Sequence, residues 1–185
     1  SLEWIRRLQN ERILNLVFQD IYGRLALDDV ERELTTVADW TIQATWETVV
    51  RQYMPGQKVP LAVLGLGKLG SREMGYLSDL DLMFVYDPPA EGGDHIPAQV
   101  VKIMQRFMRM MSTPLQEGPG YVVDAQIRPS GNYGPLIVTT SRWIDYYRRE
   151  ADIWEIQALL RMRAVAGDKN LGRRLKDEAR EICSQ

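Results

Sequence analysis

Apolar residues along the first fifty or so positions recur at intervals of three and four, the period of an α-helix with one buried face. Val30, Leu34, Val37, Thr41, Ala44 and Thr48 form the clearest stripe, and Asp28, with Glu31 three residues on, reads as its N-cap. Met54-Pro55-Gly56 ends this helical region. The period then changes. Leu61-Ala62-Val63-Leu64 is a short unbroken apolar run, which predicts a buried strand leading into the glycine-rich Gly65–Ser71 (GLGKLGS). A helix of two to three turns is expected next, followed by a strand over Asp79–Tyr86 (DLDLMFVY), which is rich in strand formers. Proline and glycine make residues 87–97 an exposed loop. Gln99–Met111 reads as a helix whose Met104, Met108 and Met111 fill the core. Tyr121–Ile127 is the next strand, Arg128–Gly134 a turn-rich loop, and Leu136–Val138 one more short strand. From Ser141, read as an N-cap, helices return, with a break at Ala151-Asp152. Trp143, Tyr146, Tyr147 and Trp154 recur at helical spacing and are assigned to a packed core; residues 155–165 and 169–182 are read as two further helices. Strands grouped in the middle with helices on both sides predict the α+β class. Three segments result: N-terminal helices over 1–57 packing on the core, the core itself over 58–140, and C-terminal helices of the same domain over 141–185.

Composition narrows the setting. At 185 residues, 45% hydrophobic and 26% charged, the chain can bury a proper core and has the make-up of a soluble globular protein. A formal net charge of −2 provides no general pull toward nucleic acid or an anionic membrane, so neither is expected as a partner. The one cysteine, Cys183, excludes a disulfide framework or a cysteine metal site. No apolar run approaches the roughly 18 residues of a membrane span, and no signal peptide opens the chain, so a cytoplasmic location is expected. Both ends fall inside helical patterns, which predicts cut points in a longer polypeptide. His95, the only histidine, is expected to be an exposed loop residue without a chemical role.

The candidate chemistry begins at Ser78-Asp79-Leu80-Asp81-Leu82. In a strand, alternate residues share a face, so Asp79 and Asp81 point one way and Leu80 and Leu82 point into a core. Two such charges repel by roughly 1 kcal/mol even in water, and more when partly desolvated. A cation between them is expected, and an all-oxygen pair favours Mg²⁺ or Mn²⁺ over zinc. A bare D-x-D also suits the solvated face of an edge strand, so the flanking residues decide. Gly65-x-Gly67-x-x-Gly70 after a strand matches the dinucleotide fingerprint of an NAD(P)-binding oxidoreductase, with Asp87 near the offset of a ribose-binding acid. Against it, the following helix is short and carries Gly75, the next strand opens with acids, and no further βαβ pattern follows. A P-loop needs Lys after Gly70, where Ser71 stands. The remaining alternative takes Gly70-Ser71 as the start of a helix whose N–H groups and hydroxyl hold a triphosphate, with Lys68 adding a cation. Asp124 lies in the later strand, with Val123 and Ala125 facing the other way. Three acids on neighbouring strands beside a glycine-serine phosphate loop form a two-metal nucleotidyl-transfer site.

The stretch GLGKLGSREMGYLSDLDLMFVYD resembles the signature of glutamine-synthetase adenylyltransferases, members of the nucleotidyltransferase superfamily that includes DNA polymerase β. VDAQIRPSGNYGPLIVT and YYRREADIWEIQALLRMRAVAGD resemble the same family's second and third blocks, so the likeness runs in family order over residues 60–168. It implies a polymerase-β-like fold with a small mixed sheet, a nucleotidyltransferase core over 58–140, ATP as substrate, and two Mg²⁺ ions or Mn²⁺ in their place. It implies that Asp79, Asp81 and Asp124 are catalytic metal ligands. Lys68, Gly70, Ser71, Ser78, Arg128, Ser130 and Gly131 would surround the nucleotide. Glu73 would orient a basic group, and at most one of Arg161 and Arg163 would lie near the site. Glutamine synthetase, modified on a tyrosine hydroxyl, is the implied protein substrate, with PII-type signal proteins read by regions outside this chain. The family's enzymes carry two such halves, one adding AMP and one removing it by phosphorolysis. Arg128–Gly131, Trp154–Leu159 and Gly75-Tyr76 resemble the adding half more closely, with removal as the alternative. Gln126, Ser71 and Ile156 depart from the family's usual residues, and none of the three is an implied metal ligand.

Overall fold

A computed structural model describes residues 1–89 and 95–184. Two long helices, α1 (Leu2–Ile21) and α2 (Leu27–Tyr53), form a hairpin through a short turn in which Gly23 takes φ +63. Helix α2 starts earlier than the capping pattern predicted: Ala26 is its N-cap, and Asp28 and Asp29 fall in the first turn, where their charge suits the helix dipole. Its buried face runs through Val30, Leu34, Ala38, Ile42 and Val49.

The chain then enters a sheet in strand β1 (Leu61–Gly65), turns through the five-residue helix α3 (Gly67–Ser71), and returns in β2 (Leu80–Tyr86). β1 and β2 are antiparallel, with Leu61 opposite Tyr86 and Gly65 opposite Leu82. After helix α4 (Ala98–Ser112) come β3 (Val123–Asp124) and β4 (Ile137–Thr139), both parallel to β2 and both on its free edge. Helices α5 (Thr140–Arg149) and α6 (Ile153–Leu159) lead to β5 (Arg163–Gly167), which pairs antiparallel with β1, and α7 (Lys169–Cys183) ends the fold. The result is a small mixed sheet with helices on both faces, in the α+β class.

Alternation along β2 builds both layers. Leu80, Leu82, Phe84 and Tyr86 pack with α2 and α4, while Met83 and Val85 pack with Trp143, Tyr147, Leu171 and Leu175 on the other side. Met104 and Met111 are buried on the α4 face, and Met108 packs partly buried against the same cluster.

Several expectations change. The strand expected over 121–127 shrinks to two residues, because the chain leaves the sheet edge into the Arg128–Gly134 loop before rejoining it as β4. The helix expected over 155–165 stops at Leu159, and its last part is β5. Ala- and Met-containing sequence favours helix locally, but the open edge of β1 offers ladder hydrogen bonds, and tertiary pairing overrides propensity. Gly167, at φ +85, ends β5 where a Cβ would strike the Leu61 carbonyl. Thr139, not Ser141, caps α5 by accepting the Arg142 N–H at 3.4 Å. Trp143, Tyr146 and Tyr147 are buried as expected, but Trp154 is 60% exposed: the break at Ala151-Asp152 rotates α6, and its capping box aims Glu155 inward instead. His95 is exposed, while residues 90–94 of the loop expected over 87–97 lie outside the described residues. No described helix is long and apolar enough to cross a membrane.

Phe84 is fully buried and meets the Phe107 ring edge-on, so Phe84→Ala is expected to cost about 3–5 kcal/mol. Trp154→Ala is expected to stay within about 0.5 kcal/mol. Urea denaturation of the two variants checks this, and equal losses would return Trp154 to the core.

Candidate active site

Backbone contacts shape the glycine segment. Leu66 leaves β1 extended, its N–H bonded to the Asp81 carbonyl at 2.9 Å, and Gly67 turns the chain at φ +50. A Cβ on Gly67 would run into the Asp81 carboxylate, and one on Gly70 into the Arg161 carbonyl. These glycines are therefore close-approach positions between the turn, the acidic strand and the segment entering β5. A dinucleotide-binding unit is ruled out, because it requires parallel strands around its helix and β1 and β2 are antiparallel.

Gly70 and Ser71 do not open a helix; they close α3. The Gly70 N–H bonds Leu66 O at 2.7 Å, and the Ser71 hydroxyl donates to Glu73 Oε2 at 2.8 Å with Gly67 O also within reach at 3.1 Å. The α3 N-terminus instead lies at Gly67-Lys68. Arg72 then adopts φ +66, and Gly75–Ser78 forms a tight turn in which Ser78 Oγ accepts the Gly75 N–H at 2.9 Å.

That turn delivers Asp79 and Asp81 to the start of β2, where Leu80 and Leu82 point into the core as the alternation predicted. Asp124 stands directly opposite Asp81 across the parallel β2–β3 pairing. Burial, then the charges of Asp124 and Asp79, push the Asp81 carboxyl above its ordinary range, and Lys68 pulls it down. Two anions outweigh one cation, so this corner of the sheet is short of positive charge. Among the described residues, no three acidic, histidine or cysteine side chains converge closely enough to grip an ion. Like charges resist convergence, and Asp124 Oδ1 accepts the Gln126 N–H at 2.8 Å. The donor set is nevertheless oxygen only, which suits a hard divalent cation, and the missing Cβ of Gly67 is what lets the Asp81 carboxylate close on the turn.

The Arg128–Gly134 loop flanks Asp124. The Arg128 guanidinium donates to the carbonyls of Ala125, Pro135 (3.1 Å) and Gly134 (3.3 Å), so it clasps its own loop. Ser130 is held at φ +64 and Gly131 at φ +53. Tyr146 donates to Glu155 Oε1 at 2.7 Å and faces the Ser130 backbone N–H, linking the loop to α5 and α6. Glu73 lies 3.8 Å from Arg161, an exposed ion pair of little energetic weight. Arg163 donates to Leu69 O and to Asp39. Asp39 was not singled out from the sequence, since it sits on α2 among ordinary polar positions and only the fold brings it here.

A small mixed sheet with helices on both faces, carrying an acidic strand beside a glycine-bounded turn, is consistent with a domain of nucleotidyltransferase type. The chain matches the glutamate-ammonia ligase adenylyltransferase family over residues 1–178 and belongs to it. It is 40% identical over 181 residues to a Mycobacterium leprae protein named bifunctional glutamine synthetase adenylyltransferase/adenylyl-removing enzyme, covering 94% of this chain and 18% of that protein. A protein of the same name from Mycobacterium tuberculosis is 40% identical over 176 residues, covering 91% of this chain and 17% of the relative. One from Bordetella pertussis is 38% identical over 180 residues, covering 95% and 19%. The chain thus spans less than a fifth of the length of these curated relatives.

The raised pKa of Asp81 sets a pH dependence. The folded carboxyl holds its proton more tightly than the unfolded one, so ionisation costs no stability below the ordinary value of 3.8. The cost grows as the pH climbs through the raised value and is complete above it. Asp81→Asn is therefore expected to raise the thermal midpoint at pH 7 in chelator-treated buffer by about 1–2 °C, a size already reduced for a half-buried group. The gain should vanish near pH 3.5. A variant less stable than wild type at pH 7 would show that burial and the neighbouring anions do not penalise the Asp81 charge.

Proposed function

We propose that this domain has a polymerase-β-like nucleotidyltransferase fold and transfers AMP from ATP to a tyrosine hydroxyl of glutamine synthetase. The observation that carries this is the register that sets Asp81 opposite Asp124, with Asp79 one residue before β2 and near enough to raise the Asp81 pKa, and the glycine-bounded α3 against the Asp81 carboxylate. The names of the relatives support the protein substrate. Segments 1–57, 58–140 and 141–185 act as one catalytic unit, in the cytoplasm, with PII-type signal proteins read elsewhere in the longer enzyme.

In the reaction the tyrosine oxygen attacks the α-phosphorus of ATP. A new P–O bond forms, the bond to the α–β bridging oxygen breaks, pyrophosphate leaves, and the phenol proton passes to water. Asp79, Asp81 and Asp124 would hold Mg²⁺, which when bound supplies charge neutralisation at the phosphates and lowers the pKa of the attacking hydroxyl. Lys68 places a cation near the Asp81 carboxylate. Ser71 and Ser78 shape the turn before Asp79, and Glu73 restrains Ser71 and faces Arg161. Arg128 holds the Ser130–Gly131 loop in its left-handed conformation, which brings backbone within reach of phosphate. Removal of AMP by phosphorolysis is the alternative direction, since it uses the same acids. The likeness of Arg128–Gly131 and Trp154–Leu159 to the adding half favours addition.

Labelled ATP with unmodified glutamine synthetase is expected to give incorporation of label. AMP-modified synthetase with phosphate is expected to give no ADP. ADP release without incorporation would reverse the direction. Asp79→Asn or Asp81→Asn should lower transfer by about a thousandfold or more, the worth of several kcal/mol of charge stabilisation, while the fold is kept. Near-normal turnover in either variant would overturn the acidic-site assignment.

A further inference from the structure

Helix α3 has five residues and cannot hold itself together, because helix nucleation is costly and most of so short a helix is ends. Its geometry must be imposed by its neighbours. At its start, the Leu66 N–H is tied to the Asp81 carbonyl. Near its end, the Leu69 carbonyl accepts two hydrogen bonds from Arg163, from Nε at 3.1 Å and Nη2 at 2.8 Å. The outer edge of the same guanidinium grips Asp39 with a second fork, Nη1 to Oδ2 at 2.9 Å and Nη2 to Oδ1 at 2.7 Å. The side chain of Arg163 is only 14% exposed and that of Asp39 26%, so this pair is better shielded from water than the Arg161–Glu73 pair at 59% and 54%. One turn before Asp39, the fully buried Thr35 accepts the Met74 N–H at 3.3 Å. Helix α2 therefore grips the segment between the glycine turn and the acidic strand at both ends, directly through Thr35 and through Arg163 for Asp39.

We propose that Arg163 and Asp39 are positioning residues for nucleotide transfer: Asp39 turns the Arg163 fork onto Leu69 O, and the fork sets where α3 stands relative to Asp79 and Asp81. The inference rests on the nucleotidyl-transfer function proposed above. Neither residue touches the reacting atoms. The planar guanidinium is essential to the arrangement, since one edge faces a carboxylate while the other faces a carbonyl, and a lysine ammonium can match the charge without both forks. Misplacement of reacting groups by about 1 Å can cost 10²-fold in rate, so a loosened α3 should act on turnover more than on binding.

The test uses the intact protein with Arg163→Lys, which keeps the charge beside Asp39, and Asp39→Asn as a second variant. Backbone amide exchange, followed without nucleotide or metal, is expected to rise at least tenfold over residues 69–74 in both variants while β1 and β2 exchange as in wild type. With ATP·Mg²⁺, kcat for AMP transfer should fall 10- to 100-fold while KM for ATP changes by less than about threefold. Wild-type-like exchange over 69–74, or kcat within twofold of wild type, would overturn the proposal. So would exchange accelerated uniformly across the sheet, since that marks a merely structural role. If the wild-type protein neither binds ATP·Mg²⁺ nor transfers AMP, the proposed function fails, and the exchange data still judge the clamp by themselves.

Discussion

Strand β2 is apolar on both faces for most of its length and acidic only where it begins. Leu82, Phe84 and Tyr86 demand cover from one side, Met83 and Val85 from the other, so helices must pack on both faces of the sheet. The charged end cannot be covered in the same way, because burying unpaired carboxylates costs far more than burying leucine gains. Asp79 therefore stays exposed and Asp81 half-buried, at the rim of the buried core. The acids gather there because the strand changes character at that point, and Asp124 joins them because β3 pairs with that same end.

Around this rim the backbone is held in conformations that it would not keep unaided. Arg72 and Ser130, the non-glycine residues with positive φ among the described residues, flank the acids in sequence. Each lies in a segment tied down from outside: residues 69–74 by Arg163 and Thr35, residues 128–134 by the Arg128 clasp and by Tyr146. Such conformations cost of order 1–3 kcal/mol each and persist only where the surroundings over-determine them.

The N-terminal hairpin supplies much of that restraint. Arg6, fully buried, donates to the carbonyls of Met110, Met111 and Thr113 at 3.0–3.2 Å and so caps the end of α4. The Tyr121 N–H bonds the same Met111 carbonyl, which fixes the approach to β3 and Asp124. Asp20 accepts the Tyr76 hydroxyl at 2.9 Å in the turn before Asp79. Helices α1 and α2 thus reach every segment that brings an acid to the site, and they do so through polar groups as well as through packing.

Local chemistry determined a good deal. Alternation in DLDLMFVY placed Leu80 and Leu82 inward and both acids outward, because the period of a strand is a property of the backbone. The stripe of α2 as far as Thr41, the methionine face of α4 and the helix closing the chain were legible for the same reason; beyond Thr41 the buried face runs through Ile42, Trp46 and Val49, with Ala44 and Thr48 only partly covered. Other features depended on distant partners. Residues 163–167 carry no strand signal strong enough to beat their helical composition, and only the open edge of β1 makes them β5. Trp154 lies at helical spacing from three buried aromatics, yet the capping box at Asp152 and Glu155 turns it to solvent. The glycines fit a nucleotide fingerprint in one dimension, whereas in three they are spaces left for an Asp81 oxygen and an Arg161 carbonyl. Asp39 and Arg163 stand 124 positions apart, and nothing local ties them. A carboxylate on a helix and an arginine near a chain turn become a clamp only after packing has closed the distance, because a fork of hydrogen bonds has no reach beyond about 3 Å.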